Sequence, residues 1–318
     1  MANIDEIAKL AGVSVSTVSR VLNHHPYVSE SKRAAVQRVI DEMDYTPNRS
    51  AVDLIRKETR SIGVILPFNN NQAFDQLLHG VLSRSVELDY SVMVLPTRYD
   101  AEKELKYLNM LKNKRLDGII ITSRSNTWDA IVPYTKYGTI VTCELTDRPE
   151  IGCAYVDRYA SYVDTFQLLK DKGHSLVAFT IARGEESNST QLTIKAYQQV
   201  FGDIPEEYLV RDCYSMDDGL RAAQELLHLK VRPTAVYANG DEVAAGIYQY
   251  ARSLQLRIPE DLALIGQENQ PVGMGLHLST VDHQLAKVGE KAFDLVIKNS
   301  RGKVEIPYHI LVRQSIND

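Results

Sequence analysis

The first 45 residues carry apolar positions at helical spacing and no strand-like apolar run. Ile4, Ile7, Ala8 and Ala11 fall on one face of a short helix. Asn3 is placed to cap it, Glu6 stands three residues on as the reciprocal partner of a capping box, and Asp5 favours the same end by its charge. Gly12 ends the helix, because a tight turn between two helices commonly needs the positive φ that Gly tolerates. Ser14 caps a second helix in which Val18, Val21 and Leu22 point inward while Val15, Ser16, Ser19 and Arg20 point out. A third follows Ser29, with Val36, Val39, Ile40 and Met43 as its buried stripe. The pattern predicts a compact three-helix unit.

From Ser61 onward the texture changes. Short apolar runs recur at Ser61–Pro67, Ser91–Pro96, Gly118–Thr122, Thr139–Cys143, Leu176–Ile181, Ala235–Ala238 and Leu262–Ile265. Amphipathic stretches of helix length lie between them, among them Phe74–Leu88, Ala101–Lys112, Tyr159–Lys172, Asp217–Leu229 and Glu242–Leu254. Such alternation predicts doubly wound parallel sheets with helices on both faces. The runs are too many for one sheet of usual size, and Tyr155–Arg158, in the middle of the series, lacks a helix, as a crossover would. Two similar α/β lobes facing across a cleft are the economical reading, with a ligand at the carboxyl ends of the strands.

Length and composition narrow the classes. A chain of 318 residues holds about two domains, or a large one plus an appendage. Its 44% hydrophobic and 24% charged content excludes collagen-like, disordered and membrane-spanning classes, and no apolar run approaches the ~18 residues of a membrane helix. The N-terminus lacks the pattern of a secretory signal, and Cys143, Cys153 and Cys213 are too scattered for a disulfide framework or zinc site, so a reducing cytoplasm is expected. The net charge of -5 on its face argues against nucleic acid. Divided by region it does not: residues 1–60 hold nine basic against eight acidic residues, leaving 27 against 33 in the rest. The acid sits on the larger part.

In the small unit Ala8, Gly12 and Val18 stand where a helix-turn-helix needs a small residue at the crossing, a Gly at the turn and a lock for the second helix. An ordinary small bundle would show the same spacing. The outward face of the second helix favours DNA, since short polar side chains and one Arg can approach base edges in a major groove. The run from Ile4 to Asn23, then Val28-Ser29-Glu30 and Tyr45-Thr46-Pro47-Asn48, resembles the DNA-binding head of the lactose-repressor (LacI/GalR) family of bacterial transcription regulators. The resemblance implies that Val15, Ser16 and Arg20 read bases, with Ser14, Thr17 and Asn23 positioned for phosphates. Arg20 is the most discriminating, because a bidentate Arg–guanine pair contributes ~1–3 kcal/mol of specificity.

Pro47 marks a boundary, and residues 48–56 are too short and too weakly apolar to hold a helix alone in water. A solvated linker is the plain reading. The resemblance implies instead a hinge that becomes helical on operator DNA, with Asn48 near the DNA, Ala51 facing the dimer mate and Leu54 pressed into the minor groove. Val52 and Asp53 depart from the family pattern, and a carboxylate at Asp53 is expected to weaken binding and make it more salt-sensitive.

The larger part also resembles this family, whose sensor shares the fold of sugar-binding periplasmic proteins. Ile62-Gly63-Val64, Leu116-Asp117-Gly118-Ile119-Ile120, Lys172-Gly173-His174, Asp241-Glu242-Val243-Ala244-Ala245-Gly246, Ile258-Pro259-Glu260-Asp261-Leu262 and Leu311-Val312-Arg313-Gln314-Ser315 stand where the family has them. By position, Phe74, Glu144, Thr193, Tyr214, Asp241 and Glu268 are the implied effector contacts. Phe74 would be an apolar wall, Glu144 a carboxylate for hydroxyls and Tyr214 an aromatic face. Thr193 replaces the family's Arg, Gly240 its Asn, and Gln267-Glu268-Asn269 its aromatic-Asp-Asp. A different polyol or sugar, a charged derivative, or a protein partner fits these changes. The plain alternative for Glu144, Glu268 and Tyr214 is a solvated rim.

No Gly-x-Gly-x-x-Gly or P-loop opens a helix, and the eight histidines, including the adjacent His24 and His25, show no metal-ligand spacing. Gly273 and Gly275 read as a loop, Cys143 as a buried hydrophobe and Lys112–Arg115 as a solvated helix end. The resulting expectation is an N-terminal all-α helix-turn-helix head on a periplasmic-binding-protein-like sensor. The head takes residues 1–46, the hinge 47–59, lobe 1 residues 60–156 and 285–311, and lobe 2 residues 157–284 and 312–318. The expected function is a homodimeric, effector-controlled regulator of carbohydrate-related genes, most simply a repressor, with pseudo-palindromic operator DNA and a sugar or sugar derivative as partners. No enzyme activity, cofactor or metal is expected. A cytoplasmic sugar-binding protein and an α/β enzyme with a DNA-binding appendage are the alternatives.

Overall fold

The computed structural model describes residues 3–23, 25–45, 58–185 and 187–316. The chain divides into two compact units, Met1–Thr59 and Arg60–Asp318. Asn48, Ala51, Val52, Asp53 and Leu54 lie outside the described residues.

In the first unit the helices are α1 (Ile4–Leu10), α2 (Val15–Leu22) and α3 (Glu30–Glu42). The capping box at α1 forms: Asn3 Oδ1 accepts from Glu6 N at 2.9 Å, and Glu6 Oε2 accepts from Asn3 N at 3.2 Å. Gly12 makes the turn at φ +64°. Ser14 Oγ then accepts from Thr17 N at 3.3 Å and starts α2. Ile7, Ala8, Val18, Val21, Val36 and Val39 form the buried core. At ~1.5–3 kcal/mol per buried aliphatic side chain, so few residues leave a small margin, and caps at ~1 kcal/mol each matter.

The second unit contains two six-stranded sheets. Its elements run β1 (Ser61–Leu66), α4 (Gln72–Glu87), β2 (Ser91–Pro96), α5 (Ala101–Lys112), β3 (Gly118–Ile121), α6 (Trp128–Ile131), β4 (Thr139–Thr142) and β5 (Gly152–Tyr155). They continue with α7 (Arg158–Asp171), β6 (Val177–Thr180), α8 (Asn188–Phe201), β7 (Leu209–Val210), α9 (Met216–Leu227), β8 (Ala235–Tyr237), α10 (Asp241–Ser253), β9 (Ala263–Gln267), α11 (Pro271–Gly275) and β10 (Ser279–Asp282). The last elements are α12 (Leu285–Ile297), β11 (Lys303–Glu305) and β12 (His309–Leu311). The first sheet has the order β11-β5-β4-β3-β1-β2 and the second β12-β10-β9-β8-β6-β7, the same winding twice. All pairs are parallel except β10 with β12, which is antiparallel.

The chain passes between lobes three times: after Tyr155, after Asp282 and between Glu305 and His309. The third passage corrects the expected boundary at residue 311, because Leu311, Ile310 and His309 pair with Thr280, Val281 and Asp282 of the second sheet. A three-residue edge strand carries too little pattern for its sheet to be read from sequence.

Each lobe packs one helix pair through glycines. On α4 and α12, a Cβ at Gly80 would sit 1.8 Å from Ala286 O, and one at Gly289 2.1 Å from Leu77 O. On α9 and α10, Gly219 and Gly246 oppose Val243 O and Met216 O at 2.1 Å each. This close approach sets where each lobe holds the helix that opens onto the cleft. Gly273, expected in a loop, lies in the single helical turn α11 against the Asp241 carboxylate.

Candidate DNA-reading face and effector cleft

In the head, burial of Val18 and Val21 orients α2 so that Ser14, Val15, Ser16 and Arg20 are exposed, with Thr17 half-buried. Ser14 Oγ lies 2.9 Å from both Ser16 Oγ and Thr17 Oγ1, so the three hydroxyls cluster at the N-terminus of α2. That helix end carries no acidic residue in its first turn, and its partial positive charge suits a phosphate. Asn23, at the other end, is exposed and donates its amide to Ser19 O at 2.8 Å. Arg20 follows one turn after Ser16 on the same face.

In the second unit a cavity of about 230 Å³ lies between the lobes. It is smaller than the ~300–1,000 Å³ of drug-sized sites and suits a ligand of about one ring. Phe74 forms part of its wall, placed by Asn71, whose Oδ1 accepts from Ala73 N and Phe74 N at 3.1 and 3.3 Å and so starts α4. Glu144 enters after β4, with its backbone N held by Thr142 Oγ1 at 3.2 Å. Thr193 lines the cavity from α8, but its hydroxyl is turned back to Ser189 O at 2.9 Å. Tyr214 is 47% exposed and stands before α9, its backbone N donating to Asp218 Oδ2 at 3.0 Å.

Glu268 also lines the cavity, yet it is only 5% exposed, which removes it from any solvated rim. Its Oε1 lies 3.2 Å from Arg158 Nη1 and 3.0 Å from His283 Nδ1, and His283 Nε2 in turn lies 3.0 Å from Ser161 Oγ. Burial alone would raise the Glu268 pKa, but His283 and Arg158 hold it at about 2. Arg158 follows the first passage between lobes and His283 sits in the second, so this carboxylate ties two passages to the cleft. Ser161 and His283 are fully buried, which bars the Ser–His–Glu series from serving as a nucleophilic triad.

Asp241 corrects an expectation. It is fully buried and lies outside the cavity lining; Oδ1 accepts from Thr280 Oγ1 at 2.8 Å and Oδ2 from Gln270 N at 2.7 Å. Burial outweighs these bonds and pushes its pKa to about 7. Asp241 therefore braces α10 against β10 and α11 behind the cleft wall. Cys143 departs too: it is half-buried and lines the cavity, with its thiol pushed up by burial.

Among the described residues, polar and ring contacts join the lobes across the cleft. Gln72 Nε2 donates to Glu242 Oε1 at 2.8 Å, Gln76 Nε2 to Glu268 O at 2.8 Å, and the Arg183 guanidinium lies 3.8 Å from the Tyr99 ring centre. Arg124 stacks on Trp128 and stands 3.9 Å from Glu144, whose pKa burial raises against the pull of Arg124, Arg158 and, less strongly, Arg183. Sequence reasoning missed Tyr99, Arg158, Arg183 and Asn239 among the lining residues. Only Arg158 carried a signal, as the end of the helix-free Tyr155–Arg158 crossover.

Residues 3–48 match the family model for bacterial regulatory proteins of the lacI family, and residues 59–313 match that for periplasmic binding proteins and the sugar-binding domain of the LacI family. Catabolite control protein B of Bacillus subtilis (strain 168) is 43% identical over 309 residues, 97% of this chain and 98% of that protein. The ribose operon repressor of Escherichia coli (strain K12) is 29% identical, covering 93% of this chain and 92% of that one. In fold, the crystal structure of the lac repressor dimer bound to operator and the anti-inducer ONPF superposes with a TM-score of 0.85 at 22% identity, over 99% of this chain and 98% of that one. With a helix-turn-helix head and a two-lobed, sugar-binding type of sensor on one chain, the protein belongs to the LacI family of DNA-binding transcriptional regulators.

Proposed function

We propose that the protein is a cytoplasmic, homodimeric repressor of carbohydrate-related genes whose operator affinity is set by a sugar or sugar derivative in the cleft, and that it is not an enzyme. The observation that carries this reading is the exposed face of α2, where Ser14, Val15, Ser16 and Arg20 stand together while Val18 and Val21 are buried. Val15, Ser16 and Arg20 read bases in the major groove; Ser14, Thr17 and Asn23 contact phosphates. Asn48, Ala51 and Leu54 act at the centre of a pseudo-palindromic site, where paired hinges kink the duplex. Relatives named as a catabolite control protein and a ribose operon repressor support the carbohydrate reading.

In the cleft, Phe74, Glu144, Thr193, Tyr214 and Glu268 contact the effector. Because Glu268 also holds Arg158 and His283, occupancy bears on the passages between lobes, and lobe closure is coupled to the hinge by ~1–3 kcal/mol. Footprinting on DNA flanking the protein's own gene, with and without a panel of sugars and sugar phosphates, tests the reading. Arg20→Ala is expected to abolish the specific footprint and retain nonspecific binding. Uniform loss at all sequences would assign Arg20 to phosphate, and the absence of any footprint for the unaltered protein would refute the regulator reading.

A further inference from the structure

The charged residues lining the cleft are Glu144, Arg158, Arg183, Glu242 and Glu268. Four of them are engaged in the protein. Arg158 and Glu268 pair with each other at 3.2 Å. Glu144 faces Arg124 at 3.9 Å, and Glu242 accepts the Gln72 amide at 2.8 Å. Arg183 differs. Its guanidinium lies over the Tyr99 ring, and among the described residues no carboxylate comes within ion-pair distance of it; Glu144, which feels its charge, stands farther off and faces Arg124 more directly. The nearby Glu185 faces Arg211 at 3.7 Å instead.

Arg183 is tied to the start of α8 through its backbone. Thr190 Oγ1 donates to Arg183 O at 2.9 Å, and Ser187 and Ser189 hydroxyls lie 2.9 Å apart. Asn188, Ser189 and Thr190 line the cavity beside it. A guanidinium that covers an aromatic face keeps its N–H edge available, and that edge fits a planar or tetrahedral oxyanion with two parallel hydrogen bonds. With a neutral polyol bound, this cation has no carboxylate of the described residues in direct contact, whereas an anionic substituent would supply a direct partner.

We propose that the effector is an anionic sugar derivative, a sugar phosphate or sugar acid, whose charged group is received by Arg183 while the ring meets Phe74, Glu144 and Glu268. The inference rests on the sugar-effector reading of the cleft. Titration calorimetry of the full-length protein against hexoses and pentoses, their monophosphates, uronic acids, glucosamine and inorganic phosphate tests it. At least one phosphate or acid is expected to bind tenfold or more tighter than its parent sugar, and which of the two does so identifies the anion. Arg183→Gln should erase that preference while the affinity for the neutral parent sugar is kept, and Arg183→Lys should retain part of the preference. Binding of a neutral sugar or glucosamine as tightly as any phosphate or acid, with an affinity that Arg183→Gln leaves unchanged, overturns the inference and keeps the sugar reading. No binding by any sugar or derivative at millimolar concentration overturns both, and binding of inorganic phosphate as tightly as any sugar phosphate overturns the assignment of a sugar ring.

Discussion

Replacing Glu268 by Gln keeps the shape of the side chain and removes the charge that Arg158 and His283 share. In the folded protein Glu268 titrates at about 2, against an ordinary 4.5. At 1.36 kcal/mol per unit, that depression corresponds to about 3 kcal/mol of stabilisation. Because the folded pKa lies below the unfolded one, this contribution is complete above pH 4.5 and is lost as the pH falls towards 2. The independent range for breaking one side of a buried pair, ~3–5 kcal/mol, agrees. Urea denaturation of the full chain, followed by circular dichroism at a series of pH values, measures the difference. Glu268→Gln is expected to cost about 3 kcal/mol at pH 7 and progressively less below pH 4. A cycle with His283→Gln should show a coupling in the ~0.5–3 kcal/mol range of residues sharing a network. A loss under about 1 kcal/mol at pH 7, or an equal loss at pH 3 and pH 7, would show that Arg158 and His283 do not stabilise the Glu268 carboxylate.

Other outcomes follow from the same geometry. Asp241 has its pKa raised to about 7, so stability should fall as the pH rises from about 4 through 7, and Asp241→Asn should flatten the urea midpoint across that window. Gly80→Ala and Gly246→Ala place a methyl 1.8 and 2.1 Å from a facing carbonyl oxygen; each should cost ~1–3 kcal/mol or more, with exposed Gly275→Ala, which has open space, as the neutral control in thermal melts. Asp53→Ser should tighten operator binding and alter its salt dependence in a fluorescence-anisotropy titration, and unchanged affinity across salt concentrations would count against a role for that carboxylate at the hinge.

The head was legible because its signals are local: the Asn3–Glu6 box, Gly12 and Ser14 act within a few residues, and a 3.6-residue period suffices to bury Val18 and Val21. The apolar strands of both lobes were legible for a related reason, since a strand covered on both faces must be apolar throughout. β5 and β10 were not, because Gly152–Tyr155 and Ser279–Asp282 hold too few apolar residues to form a run, nor were the short edge strands β7, β11 and β12, because two or three residues hold no period. Asp241 was misplaced for a physical reason of its own. A carboxylate beginning a helix beside a cleft reads as a ligand contact, and only the positions of Thr280 and Gln270, decided by β10 and α11, show that both oxygens are consumed inside.

By itself, then, the sequence determined the division into a helical head and an acidic α/β body, the exposed polar face of α2, and the residues capable of lining a cleft. The tertiary structure alone decided which charges meet. Arg158, Glu268 and His283 are separated by 110 residues and then 15, and only the passages of the chain between lobes bring them within 3.2 Å. The same winding sets Arg183 over the Tyr99 ring, near enough to Glu144 for their charges to interact. Charge pairing in a cleft depends on distances set by long-range packing, which local residue patterns do not encode.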